Sequence, residues 1–176
     1  MARANTQAIS AAYLLLPEAF QDRFELHQAP TYSSLLVRPE AIPGDVLRRQ
    51  IKADFFVDSN FGGFTVKGKD HYPCVSYINQ NLGDYMLALP NGQKFRVMDF
   101  KAQTYRRLRF DLRDGGVSFT TEQWAIKMAL MATAMARFIQ DIMPWFDAFV
   151  MSPPQEGEMK HNPIFFPFGS PADSSE

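Results

Sequence analysis

The sequence predicts an α+β fold, a sheet backed by a long C-terminal helix, on three observations. Between Thr31 and Phe119 short apolar or β-branched runs alternate with turn residues. Within Thr104–Arg113 one parity carries Leu108, Phe110 and Leu112 and the other is polar, the period of a half-buried strand. Beyond that, Trp124, Met128, Met131, Met135, Phe138 and Ile142 recur at helical spacing. Strands followed by a helix in this way define the class.

The elements follow in order. Residues 1–12 are small and polar and read as loose; Tyr13–Leu26 reads as a short helix or an extended packing segment. TYSSLLVR, Thr31–Arg38, reads as a strand closed by Pro39, and Asp45–Arg49 as a helical turn after Pro43-Gly44. Ile51–Val57, Phe64–Lys67 and Tyr72–Ile78 read as strands separated by the turn-like DSNFGG and KGKD. Tyr85–Leu89 is a further strand before the hairpin signal Pro90-Asn91-Gly92. Lys94–Lys101 and Thr104–Arg113 then pair across Ala102-Gln103, Asp114-Gly115-Gly116 turns the chain, and Val117–Phe119 closes the sheet. Thr120 is a helix N-cap with Gln123 as its capping-box partner, and Phe119 and Trp124 hold staple positions. That helix should run to about Met143, where Pro144 ends or kinks it.

Organisation follows from composition. Residues 1–30 read as an N-terminal extension, 31–151 as one sheet-plus-helix domain, and 152–176, rich in Pro, Gly, Ser and acid around the apolar IFFPF, as a tail. One cysteine, Cys74, excludes an internal disulfide and points to a reducing interior. No run approaches the roughly 18 apolar residues of a membrane span, and the N-terminal apolar run is short for a signal sequence. The expectation is an intracellular, cytoplasmic protein with no membrane association.

Charge is unevenly spread. Lys94–Arg113 holds seven of the 18 Lys and Arg residues, opposed there only by Asp99 and Asp111, so 11 basic face 17 acidic side chains elsewhere. Parity makes this segment two-sided. Tyr105, Arg107, Arg109, Asp111 and Arg113 share one face of their strand. On the preceding strand Phe95 and Val97 suit the core, which turns Lys94, Arg96, Met98 and Phe100 outward. Basic groups neutralise phosphates while exposed aromatic faces stack on bases, the chemistry of a single-strand surface. A duplex hides its base faces and has no use for the aromatics.

The wording of this region resembles the positive cofactor four family of transcriptional coactivators, which bind single-stranded DNA. Its pieces here are Val97-Met98-Asp99-Phe100-Lys101, Leu108-Arg109-Phe110-Asp111-Leu112-Arg113 and Val117-Ser118-Phe119-Thr120-Thr121-Glu122-Gln123-Trp124, spanning roughly residues 84–143. The resemblance implies a curved antiparallel sheet backed by a helix, with DNA across the strands and contacts at Phe100 and Lys101. It also implies a homodimer through the 121–143 helix, with Trp124, Met128, Met131, Met135 and Phe138 as its core stripe. Ala102-Gln103 stands where that family has Gly-Lys, and Thr121 where Pro is usual. Val66-Lys67-Gly68-Lys69 is similar to a motif of the related Whirly-type proteins, in which two sheet-plus-helix halves share one single-strand surface.

Other constellations point to structure. His27, His71 and His161 are scattered, and His71 with Cys74 does not make a zinc site. Asp54 and Asp58 bracket Phe55-Phe56-Val57 and suggest a metal-dependent nuclease pair, though such acids are more often strand-end solvation. Gly62-Gly63 lacks the context of a phosphate loop, and no nucleophile motif is present. The sequence therefore predicts a non-enzymatic single-stranded DNA-binding protein without metal or cofactor, acting in replication, recombination or transcription. Its expected nucleic-acid contacts are Lys94, Arg96, Phe100, Lys101, Tyr105, Arg107, Arg109 and Arg113. RNA is a second ligand of the same chemistry, and the acidic tail a place for a protein partner. One rival expectation is an assembly module, viral or host-directed, that sets the arginine face against an acidic protein; a second is a metal-dependent nuclease using Asp54, Asp58 or nearby acids.

Overall fold

The structure, a computed structural model, describes residues 2–28, 33–42, 51–68, 71–115 and 120–151. Among them the chain forms α1 (Ala2–Leu15), α2 (Glu18–Gln21), β1 (Phe24–Gln28), β2 (Ser33–Val37), β3 (Ile51–Asp58) and β4 (Phe61–Gly68). There follow α3 (His71–Leu82), β5 (Met86–Ala88), β6 (Lys94–Lys101), β7 (Tyr105–Asp111) and α4 (Trp124–Met151). The strands make one open sheet in the order β1-β2-β3-β4-β7-β6-β5, and every neighbouring pair is antiparallel. The fold is α+β, as the strand-then-helix order predicted.

The chain is therefore a four-strand meander and a helix, then a three-strand meander and a helix, joined where β4 pairs with β7. One sheet face is covered by the three long helices. Phe138 of α4 meets Phe55 and Phe110 edge-on at 6.1 and 5.2 Å, and Phe146 meets Phe64 at 5.8 Å. From α1, Thr6 hydrogen-bonds Ser33 of β2 through their hydroxyls at 2.5 Å. From α3, Ser76 hydrogen-bonds Arg106 of β7. Aromatic edge contacts of this kind add about 0.5–1.5 kcal/mol each beyond the burial of their area.

Four expectations are corrected. Residues 2–15 are helical: Ala is the best helix former, and Asn5, Ala8, Ile9, Ala12 and Leu16 bury one face. The N-terminal extension thereby belongs to the domain. Tyr13–Leu26 divides at Pro17 into the end of α1, α2 and the start of β1.

Tyr72–Ile78 is not a strand but lies in α3. Its β-prone Tyr, Val and Ile are overruled by the spacing of buried Cys74, Val75 and Ile78. Pro73 sits in the first turn, where a missing N–H costs nothing. Gly83, at φ +59°, ends the helix and donates to Asn79 O at 3.2 Å.

Gly62 and Gly63 lie in β4 and not in a turn; the reversal falls at Ser59, φ +55°. Finally, α4 continues through Pro144 to Met151, because Phe146, Phe149 and Val150 beyond it are buried while the proline faces solvent. The expected turn at 45–49 and strand at 117–119 lie outside the described residues.

The β5–β6 hairpin matches its signal. Gly92, at φ +89°, donates to Leu89 O at 3.0 Å, and Leu89 donates to Gln93 O at 2.9 Å. The Thr120 N–H donates to Gln123 Oε1 at 3.1 Å, so the capping pair forms and leads through a 3-10 turn into α4.

Candidate nucleic-acid interface

Parity and register together set what the helix-free face presents. On β7 Tyr105, Arg107 and Arg109 point away from the buried Arg106, Leu108 and Phe110. Across the sheet Phe100 stands opposite Arg107 and Met98 opposite Arg109 on one side, while Thr65 and Gly63 oppose the same arginines on the other. One strand further, Asp54 opposes Thr65 and Phe56 opposes Gly63.

The arginines lie against rings. The Arg107 guanidinium sits 4.6 Å from the Phe56 ring centre and 4.7 Å from that of Tyr105. That of Arg109 sits 4.6 Å from Phe61 and 5.2 Å from Phe100, and Arg113 is 5.4 Å from Phe61. Phe100 and Tyr105 stack at 6.4 Å with their planes 26° apart. The result is a run of alternating rings and cations across β3, β4, β7 and β6. Arg107 is tied down by Nε donating to Thr65 Oγ1 at 3.0 Å. Each ring contact contributes about 0.5–1 kcal/mol at an exposed site.

Exposure divides this face. Met98 is 49% and Phe100 40% exposed, large values for apolar side chains on a sheet, whereas Phe56 is 7% exposed. The accessible platform is therefore Met98 and Phe100, flanked along β6 by exposed Lys94 and Arg96. Phe56 serves as the bed for Arg107. Lys67 and its register partner Lys52 add exposed charge at the Tyr105 end.

Two acids temper the cations. Asp54 is buried on this face, and burial raises its pKa above the ordinary carboxyl value, with Lys67, Arg107, the Ser34 hydroxyl and His27 opposing the rise. Asp111 binds Arg113 at 2.6 Å. The hydrogen bond from Arg113, partly offset by desolvation, holds its carboxyl below the usual range.

Of the expected contacts, Lys94, Arg96, Phe100, Tyr105, Arg107 and Arg109 meet on one face, with Arg113 at its edge in the turn after β7. Lys101 does not join them. It opposes Arg106 in register, which puts it on the helix side of the sheet. Arg106 itself is 1% exposed and forms a two-point pair with Asp99, its Nε donating to Oδ1 at 2.9 Å. So two cations of the basic segment serve the interior. The core stripe of α4 is likewise internal. Met128, Met131, Met135 and Phe138 pack within the protomer, and only Trp124, 49% exposed, is open to solvent.

Sequence reasoning named Lys67 only through the Lys67-Gly68-Lys69 motif and missed Phe56, Phe61, Thr65 and Lys52, because β4 pairs with β7 across the whole of α3, β5 and β6 and no local signal announces it. Asp54 and Asp58 share a face but lie four residues apart on β3, about 13 Å at strand rise, too far to hold one ion. Among the described residues no group of three or more His, Cys, Asp or Glu is disposed to hold a metal, and no helix is long and apolar enough to cross a membrane. His161 lies outside them. Compared with family models, curated proteins and solved structures, the chain matches none.

Proposed function

We propose that the protein binds single-stranded DNA, without catalysis, across the helix-free face of its sheet, and that it acts where single strands are exposed in replication, recombination or transcription. The observation that carries this reading is the alternation of guanidinium and ring on an open surface: Arg107 between Phe56 and Tyr105, Arg109 between Phe61 and Phe100. Phosphates meet the outward N–H donors, and bases stack on Phe100 beside Met98. Two strand-plus-helix halves whose strands share this face, with Lys67-Gly68 at its rim, support the same reading. RNA presents the same groups and is the second ligand to be measured.

The test is a fluorescence titration with oligo-dT over a salt series. Single-strand affinity falls with a log–log slope of about −0.7 per phosphate contact. Arg107→Ala with Arg109→Ala should weaken binding by on the order of tenfold or more and flatten the slope by about 1.4, with an unchanged circular dichroism spectrum. Phe100→Ala should cost about 1–3 kcal/mol at unchanged slope. Equal affinity of wild type and double variant would overturn the assignment of this face. Failure to bind any single-stranded DNA or RNA at low salt would replace it with an acidic protein partner for the same arginines.

A further inference from the structure

The register sorts the described residues of the helix-free face into rows that cross the strands, and charge is unequal among them. The row through Arg107 holds Phe100, Arg107, Thr65, Asp54, Leu36 and Glu25, one cation against two acids. The row through Arg109 passes Phe56 and Ser34 to end at His27. Beyond it Asp111, Phe61 and Asp58 form a row with no cation. Along the strands the pattern differs. Lys67 beside Tyr105, then Arg107 and Arg109 on β7, then Arg96 and Lys94 on β6 make one cationic line. The line leaves β7 where Asp111, paired with Arg113, takes the next outward position. At that point β6 parts from β7 to pair with β5, carrying Arg96 and Lys94 onward. Exposed Phe100, Met98 and Met86 lie on its β6–β5 side, and Asp54 and Asp58 on its β3 side.

We infer that the bound single strand lies lengthwise along β7 and β6, at right angles to the course the family resemblance implies, with a footprint of about five or six nucleotides on one protomer. This rests on the reading of the face as a single-strand surface and adds its direction and length. Outward positions on a strand recur about every 6.8 Å, roughly twice the about 3.4 Å between phosphates of a stacked strand. A strand unstacked to lay bases on Phe100 and Met98 can therefore set one phosphate against each outward position. The positions at Lys67, Arg107, Arg109, Arg96 and Lys94 follow one another over about 27 Å at strand rise. A strand laid across the sheet would meet Arg107 only in the company of Asp54 and Glu25, and would leave Arg96 and Lys94 unused.

The test titrates the full-length chain with oligo-dT of about three to twelve nucleotides, in salt near about 0.15 M. Wild-type affinity should climb steeply to about six nucleotides and then only slowly, as extra registers become available. A steep gain that stops at about three, or runs past about nine, would overturn the footprint. Lys94→Ala with Arg96→Ala, both at exposed positions, should weaken the six-nucleotide ligand by on the order of tenfold and flatten its salt slope by about 1.4. The same pair should change the weak binding of the three-nucleotide ligand less than about twofold, since Arg107, Arg109 and Phe100 suffice to hold it. No loss on the longer ligand, or an equal loss on both, would overturn the lengthwise course. Glu25→Lys probes the crosswise course. Glu25 stands four strand spacings from Arg107, about 19 Å, against a screening length of about 8 Å. Its variant should bind the longer ligand within about twofold of wild type; a several-fold gain would turn the strand across the sheet. These outcomes leave single-strand binding itself standing, whereas failure to bind at any length would overturn the reading of the face and this inference with it.

Discussion

Asp54 is a buried carboxylate whose removal is informative. It lies on the helix-free face, opposite Thr65, which in turn accepts the hydrogen bond from Arg107. Burial raises its pKa, so its ionised form is the disfavoured one in the folded state. The stability penalty is therefore present above the raised pKa and is relieved as pH falls from there toward the ordinary value. Asp54→Asn should make the protein at least as stable as wild type near pH 7 in urea titration, and the gap should close as pH drops through that window. Binding moves in the same direction. A negative charge beside Arg107 opposes phosphate by on the order of 1 kcal/mol at the surface. The Asn variant should thus bind oligo-dT a few-fold more tightly near neutrality, and its affinity should be flatter in acid than that of wild type. A variant that binds more weakly would mean that the carboxylate aligns Arg107 and does not compete for it.

Among the elements, β4 is the most constrained by what lies on either side of it. Gly62 faces the helices beneath the ring of Phe110, and Gly63 faces outward beneath the ring of Phe56. A Cβ at Gly63 would stand 2.6 Å from the Phe56 ring and 2.7 Å from Leu108 O, so Gly63→Ala must displace both, the second a backbone atom. The expected cost is about 1–3 kcal/mol, read by urea unfolding, together with weaker binding as the bed of Arg107 shifts. A neutral Gly63→Ala would show that both the ring and the β7 backbone give way freely and that this packing does not seat the arginine.

The sequence exposes such elements unevenly. β6, β7 and α4 were legible because alternation and helical spacing are local, and their two sides follow from it except at Lys101, which lies on the helix side, and Trp124, which is exposed. α1 and α3 were not: alanines hid the first, and β-prone Tyr77 and Ile78 hid the second until the burial of Cys74, Val75 and Ile78 revealed its period. The site was half legible for the same reason. Its β6 and β7 residues follow from parity, whereas Phe56, Phe61 and Thr65 arrive through strand pairing between distant segments. Lys101 shows the limit of resemblance, since a matching motif gave its identity while register gave its side.

Among the described residues a single cluster of buried side chains runs from Ala8 on α1 through the sheet to Val150 on α4, so they should unfold as one unit. Urea unfolding followed by tryptophan fluorescence, which reports α4 through Trp124 and Trp145, should coincide with the loss of far-ultraviolet circular dichroism. Separate midpoints would mean that α1 or one meander unfolds alone. The meeting of β4 and β7 is what makes the two halves one sheet, and their alignment is fixed by no short turn. Here the arginines have a second consequence. A slip of β7 by one residue exchanges its faces, driving Arg107 and Arg109 into the hydrocarbon interior and Leu108 and Phe110 into water. Unpaired guanidinium groups buried in this way cost several kcal/mol each. Arg106 escapes that cost in the native alignment because Asp99 on the next strand and Ser76 of α3 meet it. The same side chains that we propose to grip phosphate thus also penalise misaligned joins between the halves, whether or not a ligand is present.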